Sequence, residues 1–161
     1  MPTVYQDSNM DYFGYCGYDD AGNLFADGSG KYQLALAELP AGGTSLIDIS
    51  VSQSIGNPGQ VQWDGSYITV QDEAAPGSIY QLEVSGSTAT IAGVTKLDGI
   101  THFADASWIQ GHTVLVGSKP GRKPMNIRFW RYPQGGKAYQ RIDGFKRGAT
   151  VLGLTVSLAK H

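Results

Sequence analysis

The sequence predicts an all-β fold, and three observations carry that expectation. Glycine supplies 22 of 161 residues while only 16% are charged, a balance that suits short strands joined by tight turns. Four segments repeat along the chain: Gly22-Asn23-Leu24-Phe25, Gly65-Ser66-Tyr67-Ile68, Gly111-His112-Thr113-Val114 and Gly153-Leu154-Thr155-Val156, with their glycines 43, 46 and 42 residues apart. No ten-residue window places apolar residues at the i, i+3, i+4 spacing of an amphipathic helix.

Each repeat glycine follows an apolar or aromatic stretch: residues 15–18, 61–63, 108–109 and 151–152. The pattern reads as a strand, a tight turn and a second strand, with Gly supplying the positive φ that a hairpin turn needs. A second landmark lies downstream. Leu39-Pro40-Ala41-Gly42-Gly43 matches Tyr132-Pro133-Gln134-Gly135-Gly136, and Val84-Ser85-Gly86-Ser87 falls between them. Each marks the turn from a third strand to a fourth. In the middle repeat the four strands are expected at 59–64, 67–72, 79–84 and 88–94. The alternation in Ile79-Tyr80-Gln81-Leu82-Glu83-Val84 supports the third of them. Asp7-Ser8-Asn9 could cap a helix, but the Tyr- and Gly-rich run after it is a poor helix former.

Four strands in about 40–45 residues is the period of a β-propeller blade. The chain is therefore expected to be a single domain, 1–161, of blades of four antiparallel strands: 13–56, 57–99, 100–145, and a partial blade from 146–159 with 3–7. Propellers close at about 4–8 blades, and three and a fraction would leave apolar faces and strand edges uncovered. A second copy of the chain could complete the ring, the chain could be a piece of a longer protein, or a four-bladed ring could close with one thin blade. The homodimer is the expected arrangement. It fails if the mass in solution is that of one 17.2 kDa chain.

Ile55-Gly56-Asn57-Pro58-Gly59-Gln60-Val61-Gln62-Trp63-Asp64-Gly65 and Trp108-Ile109-Gln110-Gly111 resemble segments of bacterial propeller proteins distantly similar to NHL-repeat and streptogramin-lyase-type propellers. So do Ile79-Tyr80-Gln81 with Val84-Ser85-Gly86-Ser87-Thr88-Ala89-Thr90, and Gly17-Tyr18-Asp19-Asp20-Ala21-Gly22-Asn23-Leu24-Phe25 with Leu36-Ala37-Glu38-Leu39-Pro40. The resemblance covers nearly the whole chain but only the C-terminal half of such a protein. It implies a propeller, either half-length by nature or an excised or engineered half, and it points weakly to a secreted or periplasmic setting. It carries no catalytic motif onto these residues.

Composition limits the function classes. A net charge of −2 gives no general attraction to nucleic acid or anionic membrane. No run approaches the ~20 apolar residues of a membrane-spanning helix. The first residues have neither the basic nor the apolar region of a signal peptide. The single Cys16 forms no disulfide within the chain and is expected to be a small buried hydrophobe.

The titratable residues are sparse. His161 is terminal and His112 occupies a turn. His102 precedes an inner strand near Asp105. No HxxxH, HxH or CxxC spacing offers the three or four ligands of a zinc site, and Asp19-Asp20-Ala21-Gly22-Asn23 falls short of a calcium loop. Asp19, Asp27, Asp64 and Asp72 are expected to cap turn amides. Gly-x-Ser-x-Gly is absent. The basic loop Lys119-Pro120-Gly121-Arg122-Lys123-Pro124, with Arg128, Arg131, Arg141, Lys146 and Arg147 after it, makes the last third basic while the first half is acidic. That asymmetry suits an anion, a polyanion or the acidic half of a second copy. Phe129, Trp130 and Tyr132 could stack a ligand, but core packing explains them equally.

By analogy with propellers, a ligand would sit at the axis, lined by Tyr15, Gln60, Gln62, His102, Asp105, Lys146 and Arg147. The expected function is a non-catalytic module, a homodimeric ring binding a small polar ligand, a glycan or a protein partner, without cofactor or metal. The alternatives are a metal-assisted lyase or hydrolase working through His102 and Asp105, and a propeller half with no ligand.

Overall fold

A computed structural model describes residues 3–30, 33–73, 77–100, 106–118, 125–146 and 154–157. Twelve strands and no helix occur among them. They fall into three meanders. The first holds β1 (Tyr12–Tyr18), β2 (Leu24–Ser29), β3 (Leu34–Leu39) and β4 (Ile47–Val51). The second holds β5 (Val61–Trp63), β6 (Ile68–Asp72), β7 (Ser78–Ser85) and β8 (Thr88–Lys96). The third holds β9 (Ala106–Gln110), β10 (Thr113–Ser118), β11 (Asn126–Arg131) and β12 (Gly135–Ile142). Consecutive strands within each meander pair antiparallel.

The turns form for the reason the repeat implies. Gly22, Gly65 and Gly111 sit at φ 85°, 99° and 55°, a region that a side chain would strain. Gly153 lies outside the described residues. Two aspartates brace these turns. Asp19 Oδ1 accepts the amides of Ala21 and Asn23 at 2.9 and 2.8 Å, and Asp64 Oδ1 accepts those of Ser66 and Tyr67 at 2.8 and 2.7 Å.

One pairing was not legible in the repeat. β4 joins β8 in parallel, with Ser50 opposite Thr88 and Val51 opposite Ala89. The first two meanders therefore form one eight-stranded sheet in the order β1-β2-β3-β4-β8-β7-β6-β5. Its end strands β1 and β5 lie side by side, so the sheet curls nearly closed, like a barrel. Gly17 permits that approach, because a Cβ there would stand 2.8 Å from the carbonyl oxygen of Val61. Inside lies a core of Phe25, Leu36, Ile49, Val61, Ile68, Val70 and Leu82.

The third meander is a separate four-stranded sheet. It packs on the second through Ile79, Leu97, Ile109, Val114, Val116 and Trp130. Val114 and Trp130 are fully buried, and full burial of such side chains contributes about 1.5–3 kcal/mol each.

Two features of the outer rims differ from the repeat pattern. Residues 3–7 and 154–157 form no strand. Cys16, expected inside, is exposed. The cause is the face on which it sits: β1 ends the sheet, no further meander among the described residues covers its outer side, and Phe13 on the same strand remains 47% exposed.

Candidate functional site

The first strands of the meanders converge on one edge of the molecule, where a propeller would have its axis. β1 lies against β5 there, and β5 reaches β9 through Gln62. Its Nε2 donates to the Ile109 carbonyl at 2.6 Å and its Oε1 accepts the Ile109 amide at 2.8 Å. Gln62 was expected to line a channel; its amide is instead committed to a neighbouring strand.

Tyr15 is half-buried on β1, and its hydroxyl donates to Glu73 Oε1 at 3.0 Å. Gln60 precedes β5, and its Nε2 donates to the Val61 carbonyl at 3.3 Å. Tyr15, Gln60 and Gln62 thus share the β1–β5 edge. Lys146 is exposed beyond β12. His102, Asp105 and Arg147 lie outside the described residues, as does the loop 119–124.

At the centre of this edge is Asp27, wholly buried on β2. Its Oδ1 accepts the Tyr15 amide at 2.8 Å and its Oδ2 accepts the Gly59 amide at 2.9 Å. The side chain thereby ties β1 to the segment entering β5. Burial pushes its carboxyl up to about 7; the two amide bonds oppose that shift, and the charge of Glu73 adds to it. With both carboxylate oxygens bonded to amides of different segments, Asp27 holds the edge together. Asp72 repeats the device, with Oδ2 accepting the Gly56 amide and Oδ1 the Asn57 amide, both at 3.1 Å.

The expectation of a turn cap at Asp27 does not account for its inward position. The signal was present in the alternation of β2. Phe25 faces the core, so Asp27, two residues on, faces the same way. An aspartate on the core face of an apolar strand needs donors from elsewhere in the chain.

Other surfaces are open among the described residues. The outer side of the first meander holds an apolar cavity of about 300 Å³ lined by Tyr5, Phe13, Cys16, Leu24, Leu39 and Leu46. A basic cleft lies between the second and third meanders. Among the described residues, no group of three or more His, Cys, Asp and Glu side chains is placed to hold a metal ion.

No protein-family model and no curated protein matches this chain. Solved structures do. The crystal structure of the computationally designed Ika4 protein aligns at 11% identity with a TM-score of 0.62, over 98% of this chain and 87% of that one. The computationally designed Ika8 protein aligns at 12% identity with a TM-score of 0.56, over 90% of this chain and 40% of that one. The chain thus spans most of the length of Ika4 and less than half that of Ika8. At such identities the likeness concerns the fold alone.

Proposed function

We propose that the chain is a non-catalytic β-propeller module that closes its ring with a second copy and binds a small polar ligand, a glycan or a protein partner at the axis. The observation that carries this reading is the uncovered apolar face of the first meander, with its cavity of about 300 Å³ and Phe13 47% exposed. A face of this kind is a liability for a lone chain and an interface for two.

Charge distribution supports a second copy as the occupant. Residues 1–100 carry twelve of the fourteen acidic residues and two of the twelve basic ones, and residues 101–161 carry the remaining two acids and ten bases. In a head-to-tail ring of two copies, the basic end of each chain meets the acidic beginning of the other. Such complementarity favours that pairing over like-to-like contact. Residues 3–7 and 154–157, which form no strand in one chain, are the segments that would complete a shared blade. The resemblance to NHL-repeat and streptogramin-lyase-type propellers agrees with a longer ring but lends no activity.

Light scattering tests the reading. The expected mass is twice 17.2 kDa, and a mass of one chain at every accessible concentration overturns it.

A further inference from the structure

A cleft of about 520 Å³ opens between the end of β8 and the last two strands of the third meander, lined among others by Asp98, Gly99, Arg128, Lys137 and Arg141. Its size lies within the range of small-molecule sites. Its charge is unusual. Arg128 on β11 stands directly opposite Arg141 on β12. Like charges at opposed strand positions repel and destabilise the pair, and here two of them share one edge of a cleft with a lysine beside them.

The arginines are not neutralised by acids across the cleft. The Arg128 guanidinium is held by uncharged acceptors: Nε donates to Asn126 Oδ1 at 2.8 Å and Nη1 to the Gly99 carbonyl at 3.0 Å. Among the described residues no acid pairs with it, and its orientation is set, with N–H groups to spare from the five of a guanidinium. Arg141 uses Nε on the exposed Asp143 at 2.7 Å, leaving its two terminal nitrogens. Lys137 has no ion-pair partner among the described residues. Asp98 lies at the cleft but forms no ion pair with any of the three, so cations outnumber acids.

We propose that this cleft binds the tetrahedral oxyanion of a small phosphate or sulfate ester, held between Arg128 and Arg141 with Lys137 beside them. Such a group accepts several charge-assisted hydrogen bonds at once and removes the repulsion between the two arginines. A compact oxyanion suits a site made by two adjacent strands of one chain. The site does not depend on ring closure, since every residue named belongs to the same copy.

The test is calorimetric titration of the whole protein with inorganic phosphate, inorganic sulfate and a hexose phosphate, at constant ionic strength set with chloride. The wild type is expected to bind at least one of them saturably, and a hexose phosphate more tightly than phosphate identifies an ester as the ligand class. Lys137→Ala with Arg141→Gln, both at exposed positions, should weaken binding by about tenfold or more, the loss expected for charge-assisted bonds. Thermal unfolding of the variant checks that it is folded. Absence of saturable binding in the wild type, or equal binding by the folded variant, overturns the proposal. So does a third outcome: no oxyanion binding, with a solution mass that halves in the variant. That result would make the cleft a seat for the acidic half of a second copy. Ring closure can fail independently, because a monomeric wild type that binds phosphate leaves this site intact.

Discussion

Gln62 grips Ile109 by both of its backbone polar groups, with contacts of 2.6 and 2.8 Å spanning 47 residues of sequence. The side-chain amide does for β5 and β9 what a ladder rung does within a sheet. Asp64 adds a second tie between the same meanders, its Oδ2 accepting the Tyr132 hydroxyl. Thr95 adds a third, donating to the Pro133 carbonyl at 2.9 Å.

Removing the grip should therefore destabilise the junction of the second and third meanders. Ile109 is only 5% exposed, so Gln62→Ala leaves a buried amide and carbonyl without partners. The expected loss is about 2 kcal/mol or more, read as a lower urea midpoint. An unchanged midpoint would mean that the contact contributes nothing net.

Asp27 makes stability depend on pH in an unusual direction. Its carboxyl titrates at about 7 in the folded chain against an ordinary 3.8. Between those values the folded state holds a proton that the unfolded state does not. Stability from this group is thus full below 3.8 and is lost as pH rises through 7. The wild type should lose on the order of 3 kcal/mol between about pH 5 and about pH 8 from this group. Asp27→Asn cannot titrate and offers one acceptor to two amides. It should be less stable at acidic pH and should lack this fall, as measured by denaturant unfolding at the two pH values. A fall of equal size in the variant assigns it to other groups.

Much of the local architecture was legible, because it depends on local constraints. The positive-φ glycines at 22, 65 and 111 locate the hairpins, and the alternation 79–84 matches β7, with Ile79 and Leu82 in the two cores. Their positions differ in parity, so the same alternation sends them to opposite sides of the sheet. What the sequence could not show is how meanders meet. The parallel β4–β8 rung, the Gln62 grip and the Asp27 bonds join residues far apart in the chain. A glutamine or aspartate gives no local sign of which distant amide it will find. Cys16 departs from expectation for a related reason: an apolar run marks a strand, not whether anything covers the face on which a given residue lies.

Gly59 offers a test of how closely the segment before β5 must pass. A Cβ there would run into the Gln71 carbonyl oxygen, and its own amide donates to Asp27. Gly59→Ala should cost about 1–3 kcal/mol through backbone displacement. It should also enlarge the pH dependence assigned to Asp27 and move it to higher pH, since the Gly59 amide, which holds the carboxyl down, would shift from it. Thermal unfolding across pH reads both effects. A variant as stable as the wild type would show that the approach relaxes freely.

The outer face of the first meander supplies a direct probe of the proposed ring. Cys16 lines the same apolar cavity as Leu46 and is exposed in the single chain. If a second copy covers this face, alkylation of Cys16 should slow as protein concentration rises, in step with the gain in mass. Leu46→Asp places a charge where the partner would pack, and burying it unpaired costs several kcal/mol, on the order of the interface itself. The variant should therefore run at 17.2 kDa, half the mass expected of the wild type, with Cys16 reactive at all concentrations. Because Leu46 lies outside the strands and outside the buried cores, the folded chain should persist, and an unchanged far-ultraviolet spectrum checks that. A wild type whose Cys16 is equally reactive at all concentrations would mean that no second copy covers this face.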